Sequence, residues 1–237
     1  MLLLFLPHLE NSPLGVSIII PTLNEESCLA QTLESVRQLR PHEIIVVDGG
    51  SSDATPRLAS KADVFLQGPR GRAVQMNLGA ARARGATLLF LHADCLLEKG
   101  ALEEAERLLD RRTTIAGCYS MSVRARGWLF DSIAACATAR VRFTGLAYGD
   151  QGLFIRRERF QKLGGFPPLS FMEDLFFSKQ LRRLGRMVVA RRRIFVSPRR
   201  WQREGLLRQT LRNWTLTALA VGGIHPDRLT RFYPALC

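Results

Sequence analysis

The sequence predicts an α/β domain with a mostly parallel central sheet flanked by helices. Three observations predict it. Residues 16–20, 43–47 and 87–91 are short β-branched or aliphatic runs with little alternation, as strands buried on both faces of a parallel sheet are. Helix-length polar segments separate them, which gives the βαβ rhythm of a doubly wound, Rossmann-like sheet. Each run also ends in a small polar cluster carrying a carboxylate: Pro21-Thr22-Leu23-Asn24-Glu25, Asp48-Gly49-Gly50-Ser51-Ser52-Asp53, and His92-Ala93-Asp94. Ligands of such sheets bind outside the carboxyl ends of the strands, so Glu25, Asp48, Asp53 and Asp94 are expected at one crevice.

The elements follow in order. Residues 16–20 make the first strand, and Pro21 ends it because proline cannot donate to a ladder. Residues 25–39 read as a helix, with Leu29, Leu33, Val36 and Leu39 at helical spacing. Pro41 breaks it before the second strand, 43–47. Ser52 or Asp53 caps a short helix through Ala59, and residues 62–66 form a third strand. Residues 67–71 are a turn by composition. Residues 72–84 are strongly helical, alanine-rich on one side and closed by Gly85. Strand 87–91 and helix 100–111 complete the alternation.

From Ala116 the rhythm changes. A strand at 116–123, a helix at 128–143 and a short strand at 152–155 precede a Gly-Gly-Phe-Pro-Pro loop at 164–168. An amphipathic helix at 173–184, a strand at 187–196 and a C-terminal helix at 204–220 follow. The second half is therefore expected to be more mixed than the first.

The 237 residues, 46% hydrophobic and free of repeats, suffice for one medium domain with a substantial core. The net charge of +13 draws on late arginines such as Arg182, Arg183, Arg191, Arg192 and Arg193. Such a field suits phosphorylated small molecules, anionic lipid headgroups or nucleic acid, unless it only solvates the surface. Aromatic residues are not interleaved with the basic ones, so nucleic acid is not an expected partner. The five cysteines are scattered and lack metal-finger or redox spacing, as reduced thiols are. The Leu2-to-Leu6 run is too short for a signal segment, and no stretch reaches the ~20 apolar residues of a membrane span. A cytoplasmic location is expected, with peripheral contact to the inner face of the cell membrane left open.

Single carboxylates at strand ends usually cap helices. Their joint arrival at one crevice instead suits hydrogen bonds to a ribose or base, or a hard cation held against phosphates. His92 and Asp94, two apart at a strand end, face the same space, and Asp94 is the better metal ligand. Arg70-Gly71-Arg72 precedes a helix start, where two guanidiniums and the helix end meet an anion. Gln75 and Asn77 either face the crevice or are solvated. Glu173 and Asp174 open a helix, as dipole complements or as a base for a hydroxyl.

Taken together, VSIIIPTLNEE, EIIVVDGGSSDAT, GPRGRAVQMNLGAARARGATLLFLHAD and GDQGLFIRRERFQKLGGFP followed by MEDLFF resemble glycosyltransferase family 2 over roughly residues 14 to 200. The RGRAxQMN and LFLHAD forms look most like an uncharacterised bacterial subgroup. The resemblance implies a GT-A fold in one domain, with a nucleotide-sugar-binding half at 14–115, an acceptor half at 116–200 and a helical tail at 201–237. It implies an inverting transfer from a UDP- or GDP-linked sugar to a hydroxyl acceptor, lipid-linked acceptors included, assisted by Mg²⁺ or Mn²⁺. Pro21, Thr22, Asn24 and Glu25 would line the nucleoside, with Asp48, Gly49 and Asp53 at the base or ribose. Arg70, Gly71, Arg72, Gln75 and Asn77 would border the phosphates. Asp94, last in the family's D-x-D element, would bind the cation, and Asp174 of the E-D pair, beside Glu173, would be the base.

His92 departs from the pattern, standing where the family's element has its first acid, and there it would hydrogen-bond the ribose or phosphate of the nucleotide sugar. Arg200-Trp201 is similar to the R-W of the longer Q-x-x-R-W element, whose remainder is absent. The pair would contact diphosphate and acceptor, or pack the C-terminal helix. Two other readings stay open. A nucleotidyltransferase shares a related sheet and a metal carboxylate, but carries a glycine-rich loop where this chain has PTLNEE. A non-catalytic nucleotide-sugar or membrane-surface binding protein would need neither Asp94 nor Asp174.

Overall fold

The computed structural model describes residues 15–232; the Leu2-to-Leu6 run and Cys237 lie outside them. The first half runs β1 (Val16–Thr22), α1 (Leu29–Gln38), β2 (Glu43–Asp48), α2 (Thr55–Ala59), β3 (Val64–Gln67), α3 (Arg72–Arg82) and β4 (Thr87–Phe90). β5 (Cys95–Leu97), α4 (Ala101–Leu109), β6 (Thr114–Val123), α5 (Trp128–Thr144), β7 (Leu153–Arg156) and α6 (Arg157–Lys162) follow. The chain closes with α7 (Glu173–Arg182), β8 (Arg186–Val196), α8 (Arg199–Glu204), α9 (Leu206–Val221) and α10 (Pro226–Leu229).

The strands form one eight-stranded sheet in the order β3-β2-β1-β4-β7-β6-β8-β5. β3, β2, β1 and β4 are mutually parallel. β7 enters antiparallel between β4 and β6, β8 lies parallel to β6, and β5 pairs antiparallel on the far edge. The strand order reverses between β1 and β4, and the crevice at such a switch point opens beyond the strand ends.

The lack of alternation in the strands has a direct cause. Ile18, Ile20, Ile44, Val46 and Leu89 pack on one face with Leu29, Leu33 and Val36 of α1. Ile19, Ile45, Val47, Leu88 and Phe90 pack on the other, with Ala73, Met76 and Ala80 of α3. Both faces are core, so both parities are apolar. A third, smaller cluster of Phe171, Met172, Leu175, Leu216, Ala220 and Leu229 holds α9 and α10 against the start of α7.

Several boundaries differ from the sequence expectation. β1 continues through Pro21, which pairs with Val47, and Thr22, which pairs with Asp48. The polar groups of Ile19 face β4, where Leu91 N donates to Ile19 O. Those of Pro21 would face the same side, beyond the end of β4, so its missing N–H leaves no ladder bond unmade. α1 starts at Leu29 rather than at residue 25; ahead of it Cys28 N and Leu29 N share Glu25 O in a turn, and the amides of Glu25 and Glu26 donate to the side chains of Thr55 (2.7 Å) and Asp53 (3.2 Å). β5 and α6 are too short to stand out in the sequence. The expected C-terminal helix is α9, and a short helix the sequence did not suggest, α8, precedes it across Gly205, whose φ of 86° is one that L side chains avoid. No helix among the described residues is long and apolar enough to cross a membrane, and the described cysteines form no disulfide.

Candidate active site

Two adjoining cavities lie at the switch point and make one cleft. The first, about 1120 Å³, is bordered by Pro21, Thr22, Glu25, Arg70, Gly71 and Gln75. The second, about 760 Å³, is bordered by Tyr148, Gly149, Asp150, Asp174, Trp201 and Asn213. Arg72, His92, Asp94, Phe171 and Arg200 border both. The strand ends of the first half thus meet α7, α8 and α9 of the second across a shared wall.

Not every expected residue reaches this cleft. Asp48 is fully buried, and its carboxylate accepts from the amides of Gly50 (3.0 Å) and Ser51 (2.9 Å) and from the hydroxyls of Ser51 and Thr22. Asn24 Oδ1 accepts from Ser52 N (2.9 Å), and Asp53 accepts from Glu26 N and Thr55 N. These three residues stitch the loop after β1 to the loop after β2. Asn77 grips the backbone of Phe166 through paired 2.9 Å bonds. None of Asn24, Asp48, Gly49, Asp53 and Asn77 borders either cavity. They support the loops around the cleft from behind. Gln75 does border the first cavity, while its amide donates to Thr22 O and Val47 O at 2.8 Å, holding two strand ends together.

Asp94 and Glu25 are bridged by one guanidinium. Arg199 Nε lies 3.1 Å from Asp94 Oδ2, and its Nη2 lies 2.7 Å from Glu25. Burial opposes the charge on Arg199, but the bond to Glu25 and the charge on Asp94 hold it above the usual arginine range. His92 stands on the same wall. Burial first, then the charge on Arg72, push His92 down to about 3 against the pull of Asp94, so the imidazole is neutral near pH 7. Arg72 in turn pairs with Glu173, Nε to Oε1 at 3.0 Å. Burial raises the Glu173 carboxyl above its ordinary range, with Arg72 working against it.

The acids of α7 divide their tasks. Met172 precedes the helix in a left-handed conformation, φ 59°. Glu173 turns inward, 1% exposed, to Arg72, and Asp174 borders the cleft. Asp174 Oδ2 accepts from the amide of Gly149, and its Oδ1 from its own helix at Leu175 N (2.6 Å). Gly149 matters because of its surroundings: a Cβ there would stand 2.7 Å from His92 Nε2 and 3.0 Å from Asp174 Oδ2.

Sequence reasoning missed the wall around these acids. Asp150 has one buried oxygen, Oδ1, with no hydrogen-bond partner among the described residues. Burial raises its carboxyl, with Arg140 opposing. Arg140 stacks on Tyr148 at 3.4 Å from the ring centroid and donates to Gln151 Oε1 at 2.7 Å. The GDQG stretch signalled this corner, but only tertiary approach shows which of its residues faces the cleft. Trp201 borders the cleft and packs edge-on to Phe130, centroids 6.3 Å apart.

No three His, Cys, Asp or Glu side chains among the described residues come together as a self-sufficient metal site. One carboxylate, Asp94, beside a neutral imidazole fits a cation held mainly by a ligand's phosphates, which needs few protein oxygens. It does not fit one held by protein alone.

A parallel half-sheet with its cleft at the switch point, closed by antiparallel β7 and the mixed second half, defines a GT-A glycosyltransferase fold. Residues 17–158 match the model of Glycosyl transferase family 2, and the chain belongs to that family. A PGL/p-HBAD biosynthesis glycosyltransferase of Mycobacterium bovis is 38% identical over 88 residues, 33% of this chain and 34% of its own. The undecaprenyl-phosphate 4-deoxy-4-formamido-L-arabinose transferase of Proteus mirabilis is 29% identical over 163 residues, 61% of this chain and 48% of its own. The chain thus spans between about a third and a half of the length of these curated relatives.

Among solved structures, the mannosyltransferase of Pyrobaculum calidifontis in complex with GDP-Man and Mn²⁺ superposes with TM-score 0.59. It shares 24% identity, over 75% of this chain and 55% of its own. TarS of S. aureus in complex with UDP-GlcNAc gives TM-score 0.60 at 20% identity, over 77% of this chain and 58% of its own. These likenesses bear on the fold.

Proposed function

We propose that the protein transfers a sugar from a UDP- or GDP-linked donor to a hydroxyl acceptor, with inversion at the transferred carbon. One observation carries this reading: Asp94, after β4, and Asp174, opening α7, border one cleft from different halves of the chain. Inversion needs the base on the face opposite the leaving group, and two halves facing each other supply two faces. Pro21, Thr22, Glu25 and Gln75 border the nucleoside; Arg70, Gly71 and Arg72 border the diphosphate. Asp94, with His92 beside it, would hold Mg²⁺ or Mn²⁺, which when bound neutralises charge on a departing nucleoside diphosphate. Asp174 takes the proton of the acceptor hydroxyl, which is a weak nucleophile without a base. Glu173 anchors the helix start through Arg72, and Arg200 and Trp201 face the acceptor side.

The relatives support the chemistry. The mannosyltransferase holds GDP-Man with Mn²⁺, and TarS holds UDP-GlcNAc. The arabinose transferase is named for undecaprenyl phosphate, which favours a lipid-linked acceptor here too.

A panel of nucleotide sugars with Mn²⁺ present identifies the donor by thermal stabilisation, since a bound ligand raises apparent stability by mass action. With that donor, Asp174→Asn is expected to fold normally and lose roughly 10²- to 10⁴-fold in turnover. Wild-type turnover in that variant removes Asp174 as the base. Donor affinity equal with and without Mn²⁺, or unchanged in Asp94→Asn, removes the cation site.

A further inference from the structure

An apolar groove runs between α5 and α9 and opens into the cleft. Ile133, Cys136 and Ala137 line it from α5, and Trp214, Ala218 and Val221 from α9, around a volume of about 1090 Å³. Tyr148, Asp150, Trp201, Asn213 and Thr217 border both this groove and the cavity that holds Asp174. The two are therefore continuous across one polar threshold.

α9 separates two environments. Gln209, Asn213 and Thr217 face the cavity, whereas Leu207, Leu211, Trp214 and Val221 stand 45% to 70% exposed on the other side. Their spacing of four, three and seven residues makes one continuous stripe along the helix. Contiguous exposed apolar surface of this kind marks a binding face rather than an ordinary solvated one. The threshold carries polar groups with unmet demand: Asp150 Oδ1 and Trp201 Nε1 are buried without hydrogen-bond partners among the described residues. A ligand matching both regions is apolar along one end and rich in hydroxyls at the other.

We propose that the groove between α5 and α9 seats the hydrocarbon chain of an amphiphilic acceptor, whose hydroxyl-bearing head crosses the threshold to reach Asp174. This rests on the reading of the cleft as a sugar-transfer site and specifies its acceptor class. It also assigns α9 two duties, with the head recognised on one face and the chain on the other.

The test uses neutral n-alkyl glucosides of increasing chain length, each below its critical micelle concentration, titrated into the full chain and read by tryptophan fluorescence. The dissociation constant is expected to tighten roughly two- to fourfold per added methylene, as burial of each CH₂ requires. Ala218→Trp, which fills the groove, and Val221→Lys, which puts a charge at its open end, should each flatten that slope. Both positions are exposed, and both variants should bind UDP or GDP as the wild type does.

A dissociation constant independent of chain length overturns the proposal, as does an unchanged slope in both variants. Self-association abolished by Ala218→Trp, with no alkyl binding, would assign the groove to a second copy instead. The assay needs neither donor nor turnover. A chain-length slope without nucleotide binding would keep the groove and remove the transferase reading; nucleotide binding without the slope would do the reverse.

Discussion

Glu173 is a buried carboxylate with a guanidinium for company, and that pair offers a sharp test of how the cleft is built. Its side chain is 2% exposed, and Arg72 Nε lies 3.0 Å from Oε1. Arg72→Met keeps a stem of similar reach and removes the charge. Breaking a buried pair from one side typically costs about 3–5 kcal/mol. The Arg72 side chain is 33% exposed, so solvent screening brings the expectation down to about 2–3 kcal/mol. For a chain of this size that is a fall of roughly 4–12 °C in melting midpoint.

The pH dependence has a definite sign. Burial raises the Glu173 carboxyl above its ordinary 4.5, and losing Arg72 raises it further. A group whose folded pKa is raised holds its proton more tightly when folded, so the penalty is absent below the unfolded pKa and grows as pH rises through the folded one. Arg72→Met should therefore approach wild-type stability near pH 4.5 and fall furthest behind above neutrality. Adding Glu173→Gln should recover most of the loss at neutral pH. Thermal melts followed by circular dichroism across that range decide it. An equal deficit at both ends, or a double variant no better than the single one, would refute the reasoning.

Gly149→Ala places a methyl 2.7 Å from His92 Nε2 and 3.0 Å from Asp174 Oδ2. Moving either by a fraction of an ångström should cost on the order of 100-fold in turnover with the identified donor, while melts shift by only a few degrees. Glu43 is held below its ordinary range: burial opposes this, but the Ser17 hydroxyl and the amides of Arg84 and Gly85 prevail. Its contribution is present above its unfolded 4.5 and lost as pH falls. Glu43→Gln should then cost about 1–2 kcal/mol at neutral pH, with the two proteins converging in acid by urea denaturation. Asn77→Ala removes both bonds to Phe166 and should cost about 2–3 kcal/mol. Calorimetry should find nucleotide diphosphate affinity nearly unchanged, since Asn77 stands behind the cleft.

How much was legible in advance depends on whether a signal is local. Residues 16–20, 43–47 and 87–91 are apolar in both parities, and no other environment suits them as well as a doubly covered sheet. Asp94, Arg72 and Asp174 could be placed because strand ends and helix starts aim side chains predictably. Partner choice is not local. Asp48 and Asp94 look alike in the sequence, yet one meets Gly50 and Ser51 amides and turns inward, while the other meets Arg199 from a helix 105 positions later. Asn77 is claimed by Phe166 for the same reason. Asn213 and Thr217 carried no motif at all; they matter because Gly205 redirects the chain and the third hydrophobic cluster brings α9 back over the cleft.

That third cluster has a consequence for how such a protein could change. Phe171, Met172, Leu175, Leu216, Ala220 and Leu229 share no member with the two cores that sandwich the sheet. The helix presenting Gln209, Asn213 and Thr217 is thus attached to the domain much as a removable panel is attached to a frame. Substitutions on that panel can reshape one side of the cleft without disturbing the strand ends opposite. Exchanging residues 206–221 between relatives, with Leu216 and Ala220 kept, is then a compact way to vary that side of the cleft while Arg199 goes on bridging Asp94 and Glu25.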